Sequence, residues 1–300
     1  MTTGAQRLDV ALVQRGLLRS RTQAAQAVHD GRVTADGVVV RRPAHPVDAS
    51  TALEVAPEPG ASYVSRAGHK LAGALEALDR LARDPAAPAA PTVRGADCLD
   101  LGASTGGFTQ VLLDRGARSV VALDVGHDQL VPELRADPRV HVREGRNARE
   151  LDASDLVAPV SVVVADLSFI SLTLVLPALR ATAPDASLLL MVKPQFEVGR
   201  ERLGRGGVVR DPAQHESAVL DVMACAARLG APAVAVAASS LPGPSGNREF
   251  FCWFEPGAPH DPVGARRAVA AAVADSEGRA AHLVHVQRLD GPGDFDGGTR

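Results

Sequence analysis

The sequence predicts an open α/β fold, a largely parallel sheet with helices on both faces, preceded by a small α+β module. Three observations carry that expectation. Residues 96–116, ADCLDLGASTGGFTQVLLDRG, read as a buried strand, a turn of small residues and a helix from Phe108. This is the opening unit of a sheet that holds ligands at the carboxyl ends of its strands. The runs VVALD, SVVVADLSF and SLLLMVKP are apolar without alternation, as strands buried on both faces require. Finally, APEPGAS at 56–62 is a Pro/Gly break between the first module and the rest.

Taken in order, RLDVALVQRG gathers Leu8, Val10, Ala11, Leu12 and Val13 on one helical face, and Gly16 ends that helix. Ser20 caps a second helix, SRTQAAQAVHDG, which Gly31 stops. RVTADGVVV is a pair of short β-runs around Asp36-Gly37, a strong hairpin signal, and TALEVA adds a last strand. Past the break, Ser65 caps RAGHKLAGALEALDRL, whose Leu71, Leu75, Leu78 and Leu81 form an apolar stripe. After the glycine turn, strands end at Asp124, in RVHVREG, at Asp166 and at Lys193, and Pro177 interrupts the helix ISLTLVLPALRATA. EVGRERLGRGGVVRD is a glycine- and arginine-rich loop, expected to be a mobile flap. A helix (DPAQHESAVLDVMACAARLG), a strand (APAVAVAASS), the turn LPGPSGNRE, the strand EFFCWF and a final helix (DPVGARRAVAAAVAD) complete the fold before a polar tail.

Composition narrows the class. The 300 residues suffice for one large domain and a small one. A net charge of −3 gives no global attraction to nucleic acid, so any such partner is held by local patches. Cys98, Cys225 and Cys252 are far apart and read as reduced core residues. The start of the chain lacks an apolar signal core, and the longest apolar run, Val157 to Ala165, is too short to cross a bilayer. A soluble cytoplasmic protein is expected, with no membrane partner. The nine histidines show no metal-ligand spacing, so no metal is expected.

Two features carry chemistry. Gly102, Ser104, Gly106 and Gly107 are spaced G-x-x-x-G-G, and Asp124 ends the next strand about 20 residues on, where a carboxylate can grip a ribose diol. A nucleoside-containing cofactor is the ligand this pattern predicts. Of 32 basic residues, 30 are arginine, and the two lysines are Lys70 and Lys193. Lysine can surrender its proton and act as a base, whereas arginine keeps its charge. Lys70 lies at the start of the helix RAGHKLAGALEALDRL and Lys193 at a strand end, and a chain so biased toward arginine rarely keeps lysine at two such places by chance.

The first module, RLDVALVQRGLLRSRTQAAQAVHDGRVTADGVVV, resembles the alpha-L RNA-binding motif. That resemblance implies phosphate contacts from Arg7, Arg19, Arg21 and Arg32. SRAGHKL, LDLGASTGGFT, DLSFISL, VKPQFE, GVVRDPAQH and GPSGNREFF jointly resemble the TlyA family of RNA ribose 2′-O-methyltransferases, which joins this motif to an FtsJ/RrmJ-like S-adenosylmethionine (SAM) domain. The resemblance implies a Rossmann-like, seven-stranded mixed sheet with EFFCWF antiparallel. It implies an alpha-L domain at 1–57 and a methyltransferase domain at 65–285, with a linker at 58–64 between them; the polar composition at 286–300 predicts a disordered tail. Lys70, Asp166, Lys193 and Glu249 become a catalytic tetrad, with Lys193 the general base and Lys70 able to share that role. Gly102, Ser104, Gly106, Gly107 and Phe108 would line the methionine side of SAM. Asp124 would hold its ribose, Asn147 the adenine side, and Asp166 would lie near the sulfonium. The implied partner is ribosomal RNA within a subunit, and the implied target is cytidine in 16S and/or 23S rRNA. One edge departs from the family pattern, where Tyr and Gly stand in place of His127 and Asp128. Alternatives are a ribosome-assembly factor with an idle SAM site, a pseudouridine synthase, which also carries the first motif, and a haemolysin-like protein.

Overall fold

The computed structural model describes residues 6–18, 21–56, 63–83, 87, 90–199, 201, 203, 205–243, 245–275 and 280–284. Arg19, the Ser20 cap, Arg200 in the flap, most of the expected linker and the expected disordered tail lie outside these residues. The chain divides into two compact units, Met1–Ser62 and Tyr63–Arg300.

In the first unit, β1 (Gln6–Arg7) leads directly into α1 (Leu8–Gln14), followed by α2 (Arg21–His29), β2 (Val33–Ala35), β3 (Val38–Val39), β4 (Pro46–Val47) and β5 (Leu53–Val55). Leu8, Ala11 and Leu12 of α1 meet Ala24, Ala27 and Val28 of α2 and close a small core over Val33 and Val47. Asp36 (φ +50°) and Gly37 (φ +78°) both take the left-handed conformation at the tip of the β2–β3 hairpin, the geometry that joins twisted strands in two residues. The β1–β4 pair was not expected from sequence, because two residues show no period.

The second unit begins with α3 (Arg66–Leu81) and continues β6 (Asp97–Leu101), α4 (Gly107–Asp114), β7 (Ser119–Asp124), α5 (Pro132–Arg135), β8 (Val140–Glu144), β9 (Val162–Ala165), α6 (Leu172–Thr182), β10 (Ser187–Val192), α7 (Pro194–Glu197), α8 (Pro212–Arg228), β11 (Ala233–Ala238), β12 (Phe250–Phe254), α9 (Pro262–Ala274) and β13 (Ala281–Leu283). Its sheet runs β13-β11-β12-β10-β9-β6-β7-β8. Strands β10, β9, β6, β7 and β8 pair in parallel, while β12 runs antiparallel between β10 and β11. Along β10, Leu188, Leu190 and Val192 enter one core with α6, α8 and α9. Leu189 and Met191 enter the other with α3 and α4. Coverage of both faces explains the missing alternation.

The sheet therefore has eight strands rather than the seven expected. The eighth, β13, adds Ala281–Leu283 antiparallel to β11 at the sheet edge. Three residues with one large apolar side chain carry no strand signal of their own; only the partner strand makes them one. Ser65 sits at the N-cap of α3 but makes no capping hydrogen bond. The three cysteines are buried and free, as expected.

Where the strands end, the backbone itself is tightly packed. Gly102 has φ +84°, and a Cβ there would lie 2.7 Å from the Asp166 carbonyl oxygen. Replacement by alanine meets both a left-handed penalty of about 1–2 kcal/mol and a backbone clash. Gly102→Ala is expected to lower stability by at least about 2 kcal/mol, read as a shifted urea midpoint with an unchanged slope. A wild-type midpoint would contradict this close approach.

Candidate functional site

The glycine turn is fastened to the strand beside it. Gly102 N and Ala103 N both donate to the Leu123 carbonyl, at 2.8 and 3.2 Å. The Asp124 carboxylate accepts from Ser104 N at 2.8 Å and from Gly126 N at 2.7 Å. Ser104 (φ +47°) is held in the left-handed region, and its hydroxyl donates to Gln129 Oε1 at 3.1 Å. Gly106 opens α4, and Gly107 lets α3 come close: a Cβ on it would lie 2.2 Å from Ser65 Oγ and 2.8 Å from Gly68 N. Phe108 is buried and stacks on Phe251 with centroids 6.0 Å apart, so its ring belongs to the core beneath the turn. Asn147 caps a short 3₁₀ turn by accepting from Arg149 N at 3.1 Å. His127 lies against Gly145, and Asp128 holds φ +54° while its N–H donates to Glu144 Oε1 at 3.0 Å. A left-handed position suits glycine, and aspartate is one of the few other residues that tolerate it.

Both lysines of the chain are buried in ion pairs. Lys70, on α3, is 6% exposed and donates to Glu249 Oε2 at 2.5 Å, with Glu249 2% exposed. Lys193, 8% exposed, lies 2.5 Å from Asp166 Oδ1 and donates to Ser168 Oγ at 3.0 Å. The Asp166 oxygen is within ion-pair distance but outside hydrogen-bond geometry, so charge attraction holds that pair. Register explains the gathering. Val192 pairs with Phe250 as the end of the β10–β12 ladder, so Lys193 and Glu249 are the next residues on each strand. Asp166 follows Ala165, the last residue of β9 to pair with both β6 and β10. All four tetrad positions thus sit at one sheet edge, or, for Lys70, are tied to it by an ion pair.

Two residues that the sequence did not single out belong to the same edge. Asp100, on β6, is 0% exposed; Thr109 donates to its Oδ2 at 2.6 Å, while Oδ1 has no hydrogen-bond partner. Burial, reinforced by the Asp166 and Asp124 charges, pushes its carboxyl up to about 7. Phe169 is 90% exposed, holds φ +64° and lies against Phe196 with centroids 5.2 Å apart. A phenylalanine held in the left-handed region three residues after Asp166 carries backbone strain of the kind that clusters at functional sites. Its signal in the sequence was its place in DLSFISL within a chain of only 3% aromatic content. Glu197 steadies this loop by accepting from Leu172 N at 2.9 Å and from Ser171 Oγ.

In the first unit, Arg7 and Arg21 converge on the buried Asp9. Arg7 donates through Nε and an Nη, each at 2.9 Å, and Arg21 through an Nη at 3.2 Å. Arg7 holds the Asp9 carboxyl below the usual range, with Arg21 adding to the effect. Both guanidiniums stay largely exposed, so each has N–H groups left to face a phosphate. Arg32 is half-buried before β2. Arg15 is structural, donating to the Thr51 and Asp48 carbonyls. Among the described residues no cluster of histidine, cysteine and acids could hold a metal ion, and no helix is long and apolar enough to cross a membrane.

The raised Asp100 carboxyl has a pH consequence. Between about pH 4 and its folded value near 7, the folded chain keeps a proton that the unfolded chain releases. That contribution to stability is complete at low pH and is lost as pH rises through the window. Asp100→Asn mimics the protonated acid and still accepts from Thr109. Its melting temperature relative to wild type is expected to climb between pH 5 and pH 8; a constant difference would mean that Asp100 is ionised throughout.

Both units of the chain are similar to known protein families. Residues 63–255 match the FtsJ-like methyltransferase family and residues 6–53 the S4 domain. The 16S/23S rRNA (cytidine-2′-O)-methyltransferase TlyA of Mycobacterium tuberculosis is 52% identical over 248 residues, 82% of this chain and 88% of that protein. Hemolysin A of Brachyspira hyodysenteriae is 35% identical, covering 83% of this chain and 99% of its own. A solved structure of a provisionally named hemolysin from Streptococcus thermophilus is 36% identical with a TM-score of 0.68, over 90% of this chain and 96% of that one. The family match across most of the second unit, with this identity over nearly the whole of a relative, shows that the chain belongs to the TlyA family of FtsJ-like methyltransferases.

Proposed function

We propose that this chain uses SAM to methylate a ribose 2′-hydroxyl of ribosomal RNA, with cytidine in 16S and/or 23S rRNA as the target. The observation that carries the proposal is the burial of both lysines in ion pairs at the carboxyl edge of the sheet, beside the glycine turn. The chain fits SAM: Asp100 Oδ1 is a buried acceptor without a partner beneath the turn, and Asp124 presents a carboxylate at the end of β7. Gly102, Ser104, Gly106 and Gly107 would hold the methionine side through the turn's backbone, Asp124 the ribose and Asn147 the adenine side. Phe108 would act through its backbone, its ring being in the core.

When bound, SAM supplies an electrophilic methyl group on a sulfonium. Lys193, once it has released its own proton to solvent, would take the proton of the attacking hydroxyl and end as the ammonium paired with Asp166, while SAM would supply the methyl group. Asp166 fixes Lys193 in place, and Glu249 fixes Lys70, which faces the same edge and can share the proton. Alignment of oxygen, methyl carbon and sulfur contributes more than the base itself. Phe169 offers an exposed ring on which an unstacked base can lie, the usual way a single nucleotide is gripped. Arg7, Arg19, Arg21 and Arg32 supply phosphate contacts from the first unit, and ribosomal subunits place the work in the cytoplasm.

Mapping 2′-O-methyl sites in ribosomal RNA with and without the protein tests the activity directly; an unchanged map would overturn the proposal. Lys193→Arg keeps charge and reach but not the ability to act as a base. It is expected to fold and bind SAM while losing methyl transfer; wild-type turnover would move the base to Lys70. Arg21→Glu is expected to weaken binding of many RNAs alike, to flatten the salt dependence by about one unit, and to leave SAM affinity unchanged. An unaltered salt slope would remove Arg21 from the RNA surface.

A further inference from the structure

Val209, after the glycine pair of the flap, has both backbone groups taken by side chains from different elements. Its N–H donates to Asn247 Oδ1 at 2.9 Å, and its carbonyl accepts from His215 Nε2 at 3.0 Å. Asn247 also donates through Nδ2 to the Gly207 carbonyl at 3.1 Å. The Asn247 carbonyl accepts from Gly243 N at 2.8 Å, which closes the turn before β12. That turn wraps the tetrad acid: a Cβ on Gly243 would lie 2.7 Å from Glu249 Oε1. Asn247 is buried at 4% exposure and stands two residues before Glu249. On the other side of the clamp, Val209 packs with Val198 and Ala218, and His215 lies against Phe250 with centroids 5.8 Å apart.

The part of the strap beyond this anchor is different in kind. Gly206 (φ +77°) and Gly207 (φ +73°) are left-handed, and among the described residues neither would meet another atom within 4 Å if it carried a Cβ. Among the described residues nothing packs against these two positions, which leaves their backbone open to an incoming group. Among the described residues, Asn247 alone bonds to both the open end of the strap, at Gly207, and its anchored end, at Val209.

We infer that Asn247 is a positioning residue for the target ribose. It locks the Gly206–Val209 strap to the turn carrying Glu249, so that strap and Lys70–Glu249 pair meet the RNA as one edge. The inference rests on the proposed methyl transfer to RNA. Asn247 touches neither reacting group; it acts through the strap and through the turn.

Asparagine is suited to this task because it accepts and donates at once. An aspartate in its place still accepts from Val209 N but, when ionised, turns a carboxylate on the Gly207 carbonyl. Protonated, it regains the donor. Asn247→Asp and Asn247→Ala, made in the full chain, are therefore compared with wild type on ribosomal subunits. Asn247→Ala is expected to lower kcat ten- to a hundredfold at every pH, with the SAM Kd from titration calorimetry within twofold. Asn247→Asp is expected to recover toward wild type as pH falls from 8 to 6, giving a rising ratio that Asn247→Ala does not show. Amide exchange supplies a readout apart from activity: the Val209 N–H is expected to be protected in wild type and to exchange at least tenfold faster in Asn247→Ala. Equal ratios for the two variants at all pH values, wild-type kcat in both, a SAM Kd that rises as far as kcat falls, or unchanged Val209 protection would each overturn the inference. Wild-type turnover alongside any of these leaves the methyltransferase reading standing. Absence of wild-type turnover sinks that reading and this inference together.

Discussion

An ammonium group cannot be taken out of water without a counter-charge, and this fold buries two of them. The cost of removing each ion from water is several kcal/mol, so Lys70 and Lys193 are tolerable only because Glu249 and Asp166 meet them at 2.5 Å. The topology of the sheet follows from, and serves, that requirement. Were β12 parallel to β10, its amino end would lie at the far edge and Glu249 could not reach Lys70. Inserted antiparallel, it begins where β10 ends, and the acid arrives beside the lysine. Removing one partner would strand the other as a buried charge, which costs more than the pair itself contributes.

The glycine turn is under a related constraint, steric instead of electrostatic. Its backbone must pass the Asp166 carbonyl on one side and the start of α3 on the other, and only missing side chains allow both. Because Lys70 rides on α3, the close approach at Gly107 also sets where that ammonium enters. Cofactor turn and ion pairs are thus coupled through packing.

Much of this was legible in the sequence. Runs such as SLLLMV read as strands covered on both faces, and the two lysines stood out against 30 arginines. Elements of two or three residues were illegible, because β1, β4 and β13 exist only through their partners. Phe108 looked like a lining residue since it follows the turn, but helix periodicity turns its ring into the core. Asp100 was hidden by its neighbours: within LDLG it reads as part of a strand, and its raised carboxyl depends first on burial in the folded sheet and then on the charges of Asp166 and Asp124, 66 and 24 positions away in the chain. Asn247 was illegible for the same reason, since its partners Gly207 and Val209 lie 40 and 38 residues before it.

The near absence of lysine has one more outcome. Reagents that acylate side-chain amines find an arginine-rich surface without a target, and the two amines that exist are shielded and held by acids. A protease that cuts after lysine meets one usable bond, between Lys70 and the buried Leu71, because Pro194 closes the bond after Lys193. Slow acylation or cleavage of the native chain would therefore report the opening of the ion-paired edge itself, making the chain's own composition a probe of its most constrained region.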